Sequence, residues 1–323
     1  MGVLRVCLLS GGTSPEREIS LRSGQAVSQA LREAGHSVIP LEPANPRALA
    51  FLSKESVDCV FIALHGQGGE DGAIQGWLET MHIPYTGSGV LASALAMNKV
   101  MSRGVWCLEQ LPQPRYEIAR EQLSHSPVGF PCVVKPARSG STIGISIVKC
   151  AGEMGDAVLD ALQYDSEYVL IEEFLHGREV TVGVIEDPET RALPVLEIVP
   201  KHEFYDYETK YTRGLCEYHV PASFSSAVSL KIQQTAIQAY RAIGCRDFGR
   251  VDMIWSSGKA YLLELNTIPG MTSMSLLPRA AAADGIDFAQ LVDKIVKRAM
   301  MRVHGDTNVQ APEGISSECF NTS

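Results

Sequence analysis

Hydrophobic and polar positions switch between two periods along this chain, and each switch marks an element. Residues 5–9 (RVCLL) form a short apolar run of strand length, of the kind buried on both faces. From 21 to 34 apolar residues recur at helical spacing (Leu21, Val27, Ala30, Leu31), and Gly35 ends the pattern. Residues 37–41 and 59–64 read as a second and a third strand. Strand, helix, strand at this spacing predicts a parallel sheet with ligand loops at the strand C-termini. A turn-rich hinge at 85–89 leads into a predicted helix over 90–108.

The middle of the chain predicts strands at 131–136, 145–149 and 168–172, a polar loop at 139–144 and a helix at 153–163. Beyond 179 come an aromatic, charged loop at 201–218, a helix at 230–243 stopped by Gly244, a strand pair within 251–265 and a last helix at 288–300. From 303 the sequence is polar and aperiodic, and a disordered tail is expected. The expected division is 1–97, 98–178, 179–302 and a tail at 303–323, with no internal repeat.

Composition narrows the class. With 45% hydrophobic and 20% charged residues, 323 residues suit a soluble globular protein of two or three lobes. A net charge of -9 without a basic run argues against a nucleic-acid partner. No apolar stretch has the ~20 residues of a membrane span, and no signal peptide is expected. The eight cysteines show neither a C-x-x-C pair nor zinc spacing. Cys7, Cys59 and Cys132 lie in apolar runs and read as buried thiols of a cytoplasmic protein.

The sharpest chemical signal is the strand pair. A three-residue turn at 257–259 would set Asp252 opposite Glu264 and Arg250 opposite Asn266, all four on one face. Two facing carboxylates repel, and a hard divalent cation such as magnesium would offset that. An exposed face with its acids paired to Arg250 is the competing reading. The loop from Lys135 to Ser146, with Gly140 and Gly144, has the build of a strand–loop–strand phosphate cover, although an ordinary hairpin tip has it too. It is not a Walker A loop, and the glycines at 11 and 12 do not complete a dinucleotide fingerprint, which counts against a nicotinamide-linked oxidoreductase. Glu16, His65 and Glu70 lie in glycine-rich loops after predicted strands, where they would face a ligand or serve only as solvated or structural side chains.

Six stretches in order resemble the D-alanine–D-alanine ligase family of the ATP-grasp class: GGTSPEREIS at 11–20, HGQGGEDG at 65–72, PYTGSG at 84–89, KPARSGS at 135–141, FYDYETKY at 204–211 and ELNTIPGMT at 264–272. The resemblance implies an α/β fold: an N-terminal Rossmann-like parallel-sheet domain, a small central domain and a C-terminal ATP-grasp domain. ATP would be the co-substrate, with two magnesium ions (manganese an alternative) on Asp252, Glu264 and Asn266. Lys99, Lys135 and Lys210 would meet the ATP phosphates. Glu172 would read the adenine with the segment that follows, where Glu173 replaces a common lysine, and Glu179 would hold the ribose. Glu16 and His65 would bind the first D-alanine, and Ser275 with the Leu276 backbone the second. Arg250 and the Gly270 N–H would stabilise the tetrahedral intermediate, while Ser141 and Tyr211 would belong to closing loops. The implied product is D-alanyl-D-alanine for peptidoglycan precursors, made in the cytoplasm by a homodimer, the common state in the family. D-alanine–D-lactate and D-alanine–D-serine ligases are the alternatives, and the pair Lys210–Tyr211 favours the dipeptide.

Overall fold

The computed structural model describes residues 2–44, 46–50, 52, 56–138, 140, 144–200 and 216–305. Ser141, Lys210, Tyr211, Cys319 and the tail beyond 305 lie outside the described residues.

Strand β1 (Arg5–Leu9) runs parallel to β2 (Ser37–Leu41) on one side and β3 (Cys59–Ile62) on the other. All of β3, and all of β1 after Arg5, is buried, which explains apolar runs in place of alternation. Helix α1 (Arg17–Glu33) joins β1 to β2 and begins earlier than its apolar spacing indicated, because its first turn is polar. The Ser20 hydroxyl accepts from Gly11 N and donates to Ala63 O, both at 2.7 Å, so one buried hydroxyl ties the loops after β1 and β3 together. Helices α2 (Pro46–Leu49) and α3 (Ala73–Thr80) are too short for a clear periodic signal.

The helix predicted over 90–108 is two helices, α4 (Val90–Met97) and α5 (Lys99–Leu108). Asn98 is extended between them, and its side chain accepts from the N–H groups of Val100 and Met101, capping α5. Lys99 thus opens a helix, and its own N–H reaches Ala137 O at 2.9 Å.

A second sheet has the order β4-β7-β5-β6: β4 (Tyr116–Ala119), β5 (Cys132–Pro136), β6 (Ser146–Val148) and β7 (Val169–Glu173), with α6 (Ala151–Tyr164) burying Met154, Val158 and Ala161 against it. The third sheet holds β8 (Arg178–Glu186), β9 (Thr190–Ala192), β10 (Leu196–Pro200), β11 (Cys216–His219), β12 (Phe248–Ser256) and β13 (Lys259–Asn266). Its order is β11-β10-β8-β12-β13, with β9 on β8. Helix α7 (Ser226–Ile243) covers it, capped by the Ser225 side chain and closed by left-handed Gly244.

Helices α8 (Leu276–Ala283) and α9 (Phe288–Gly305) follow. The last helix runs past 303, where the aperiodic tail was expected to begin. Its Val292, Val296 and Ala299 share one core with Val27, Ala30 and Leu31 of α1, so the C-terminal helix covers the first sheet. Among the described residues no helix is long and apolar enough to cross a membrane. Cys7, Cys59 and Cys132 are buried as expected, and burial pushes the Cys7 and Cys59 thiols up to about 12, which keeps them unreactive.

Candidate active site

Strands β12 and β13 place Asp252 opposite Glu264 and Arg250 opposite Asn266, as expected, but by another route. The turn has two residues, Ser257 and Gly258, both at positive φ, with Ser256 paired to Lys259. That turn alone would set Asp252 against Leu263. A bulge between Asp252 and Met253 shifts the pairing by one and brings the two acids together.

Arg250 and Asp252 are 7% and 8% exposed, so their charges need partners. The guanidinium grips the carboxylate in a fork, Nε to Oδ1 at 2.8 Å and Nη2 to Oδ2 at 2.6 Å. The Thr181 hydroxyl donates to Oδ1 at 2.5 Å, and the Asn266 amide to Oδ2 at 3.1 Å. Glu264 Oε2 stands 3.5 Å from Lys99 Nζ. Among the described residues no three His, Cys, Asp or Glu side chains converge. The set here is two carboxylates and one amide, all oxygen donors, which fits a hard cation that shares its shell with phosphate oxygens.

A second group of charges lies across the cleft on β5 and β7. Lys135 Nζ is 2.7 Å from Glu172 Oε2, both nearly inaccessible, and Arg103 pairs with the other Glu172 oxygen. Burial pushes the Glu172 carboxyl up, but Arg103 and Lys135 outweigh it and hold the group below the usual carboxylate range. Burial lowers the Lys135 ammonium; Glu172 opposes this, while Arg103 and Lys99 add to it. Glu173 pairs with Arg115 at 2.8 Å, and Glu179 sits near the start of β8 opposite Ile254.

Between these strands and the first sheet lies a cavity of about 260 Å³. Glu16 and His65 reach it from the loops of the first sheet, and Arg250 and Asn266 from the strand pair. Gly270, Ser275 and Leu276 line it from the loop that follows β13. Gly140, in the loop after β5, closes on the same space: a Cβ there would stand 3.2 Å from a Glu16 carboxylate oxygen. The Ser275 hydroxyl contacts Thr272 Oγ1 at 2.9 Å and does not cap α8, so among the described residues the first turn of that helix meets the cavity with N–H groups that Ser275 leaves open to a carboxylate.

Residues 44–88 match the family model described as "D-ala D-ala ligase N-terminus", and residues 108–297 the one described as "D-ala D-ala ligase C-terminus". The chain belongs to the D-alanine–D-alanine ligase family. The D-alanine–D-alanine ligase of Geotalea uraniireducens is 44% identical over 304 residues, 93% of this chain and 96% of that one. The ligase of Syntrophotalea carbinolica is 45% identical over 300 residues, 92% and 97% of the two chains. The crystal structure of the Bacillus anthracis ligase complexed with ATP superposes with a TM-score of 0.81 at 29% identity, over 94% of this chain and all of that one. The fold is that of an ATP-grasp ligase, and ATP is the co-substrate of the class.

Within this ligase, several site residues escaped the sequence reading. Ser23, on the inner face of α1, is 3.2 Å from His65 Nε2 and accepts from Met271 N, linking His65 to the loop after β13. Thr181 is a hydroxyl inside the otherwise apolar run of β8. Arg103 follows Lys99 by one turn on the buried face of α5. The available signal was a small polar or charged residue in register with buried apolar ones.

Two residues lining the cavity, His65 and Glu70, are shifted as well. Burial pushes His65 down to about 4, with the Ile268 backbone opposing and Arg250 adding to the shift, so the imidazole is neutral at pH 7. Burial, then the Glu16 charge, pushes the Glu70 carboxyl up from 4.5 to about 8. The folded state therefore binds the extra proton between those values, and this group's contribution to stability is complete below 4.5 and lost as pH rises to about 8. Glu70→Gln, neutral throughout, is expected to match the parent in Tm at pH 4.5 and to exceed it increasingly toward pH 8. A Tm difference that is constant across this range in thermal unfolding would contradict a protonated Glu70.

Proposed function

We propose that this chain joins two D-alanines to D-alanyl-D-alanine for peptidoglycan precursors, consuming ATP and releasing ADP and phosphate. The observation that carries this reading is one cavity that combines an acid for an ammonium, a buried guanidinium, and helix N–H donors for a carboxylate, next to the paired acids and lysines of the cleft.

A carboxylate acylates poorly because its leaving group would be oxide. Attack of one carboxylate oxygen on the γ-phosphorus of ATP releases ADP and gives D-alanyl phosphate, whose leaving group is phosphate. Both reactants are negative, so cations must surround the transfer; Lys99, Lys135 and Lys210 are assigned to the phosphates. Glu172, Glu173 and Glu179 are assigned to the nucleoside. Asp252, Glu264 and Asn266 would hold magnesium or manganese, two ions in the full assignment, which supply charge neutralisation at the phosphates.

Glu16 would hold the first ammonium, with His65 near that substrate, and Ser275 with the Leu276 N–H the second carboxylate. The neutral amine of the second D-alanine then attacks the acyl carbon. Arg250 and the Gly270 N–H would face the oxyanion; as it collapses the acyl C–O bond breaks, phosphate leaves with that electron pair, and the attacking nitrogen releases its extra proton. The acyl phosphate hydrolyses readily, so the cavity must close to water; Glu16 beneath Gly140 supports such a closure, with Ser141 and Tyr211 as the remaining partners of the latch. The division of labour follows the chain: 1–97 for the first substrate, 98–178 and 179–302 for ATP and metal, with 303–323 outside the chemistry. A cytoplasmic homodimer completes the reading.

Purified protein with ATP and magnesium is expected to release ADP with D-alanine and not with L-alanine, and to yield the dipeptide by mass spectrometry. Depsipeptide from added D-lactate at neutral pH would move the chain to the lactate subclass. Silence from a folded, ATP-binding protein would overturn the ligase reading.

A further inference from the structure

Helix α5 delivers a second cation to the cleft. Arg103 is fully buried, with its guanidinium carbon 5.8 Å from the Trp106 ring and 6.0 Å from the Tyr116 ring. A charge so placed is tolerated only when it is paired; among the described residues Nε has no hydrogen-bond partner, and the pairing falls to the two Nη atoms. Nη1 donates to Leu262 O, and Nη2 to Glu172 Oε1 and, at 3.2 Å, to Leu263 O. The two carbonyls belong to β13, directly before Glu264; the carboxylate belongs to β7, in a different sheet. Glu172 in turn contacts Lys135 on β5. A continuous line of contacts therefore crosses from β13 through Arg103 and Glu172 to Lys135. Residues four apart share a helix face, so α5 sends Lys99 to Glu264 and Arg103 to Glu172.

We propose that Arg103 is a positioning residue for ATP, acting through Glu172 and Lys135 without touching the nucleotide. The inference rests on the assignment of Lys135 and Glu172 to the nucleotide. The charge count gives the reason. Glu172 carries one negative charge and has two cationic partners, so Arg103 neutralises it and leaves the Lys135 ammonium available to a phosphate. Without Arg103, Lys135 and Glu172 neutralise each other, and the cleft loses one positive charge along with the tie that sets β7 against β13.

The test measures KM for ATP and for D-alanine, and ADP affinity by calorimetry, in Arg103→Gln, Arg103→Lys and Lys135→Ala. Arg103→Gln removes the charge and is expected to raise the KM for ATP by about tenfold or more, with a matching loss of ADP affinity and a D-alanine KM changed by less than about twofold. Arg103→Lys keeps the charge but cannot span both carbonyls and the carboxylate, so a rise of about threefold is expected. If the glutamine variant shows no cooperative thermal transition, the lysine variant decides. A folded Arg103→Lys or Arg103→Gln variant with the parent's ATP KM and ADP affinity overturns the proposal, provided Lys135→Ala weakens both. A parallel rise in both KM values with a lower Tm also overturns it, since that is what a merely structural arginine would give. An unchanged ATP KM in Lys135→Ala overturns the nucleotide assignment itself, and this proposal with it.

Discussion

Glu264→Gln is expected to leave a folded protein whose turnover falls by about a thousandfold, the upper end of what one lost electrostatic partner costs in a closed site. Glutamine keeps the shape of the side chain and removes the charge that faces Asp252 and Lys99. Glu264 is about a quarter exposed, and its neutralisation relieves the repulsion with Asp252 while taking one partner from the buried Lys99 ammonium, so Tm is expected to fall by less than in a variant that breaks the Arg250 fork. Asp252→Ala is expected to abolish turnover as well, but for an additional reason it should also destabilise the fold. It strips the buried Arg250 guanidinium of both fork contacts, and breaking a buried ion pair by removing one member costs about 3–5 kcal/mol. Steady-state ADP release and thermal unfolding on the two variants separate the effects. An active, magnesium-dependent Glu264→Gln enzyme would refute the ligand assignment.

Arg250→Lys is the second large effect. Lysine keeps the charge but replaces a planar fork with a point donor, so it cannot hold both Asp252 oxygens and still face the cavity. If Arg250 meets an oxyanion that exists only after the amine attacks, kcat should drop by about 10²–10³ while the KM for ATP barely moves. A kcat within about threefold of the parent's would remove Arg250 from the chemistry.

How much of this was legible in the sequence depends on the kind of signal. The first sheet was readable because strands buried on both faces must be apolar throughout, as β1 and β3 are. The two acids of the strand pair were readable from alternation alone, yet the bulge that sets their register was not: a three-residue turn and a two-residue turn plus a bulge give the same facing residues at Asp252. The break at Asn98 was hidden because the residues on both sides keep helical spacing, and only the side-chain cap shows that a new helix starts at Lys99. β4, β9, β10 and β11 are three to five residues long and carried no pattern above their loops. Glu16, His65, Arg250, Gly270 and Ser275 are spread over more than 250 positions, and only tertiary packing brings them to one cavity. Arg103 was missed for a physical reason: a charged residue on a helix reads as solvated until its burial against another sheet is seen.

The central claim is that the first D-alanine is activated by phosphorylation of its own carboxylate. The most direct measurement supplies D-alanine labelled with ¹⁸O in the carboxylate, together with ATP and magnesium, and reads the isotope in the products by mass spectrometry. The oxygen that attacks phosphorus remains on it when the amine displaces phosphate, so one ¹⁸O is expected in the inorganic phosphate for each dipeptide formed. Dipeptide accompanied by unlabelled phosphate would contradict an acyl phosphate route and the roles assigned here to the lysines and paired acids of the cleft.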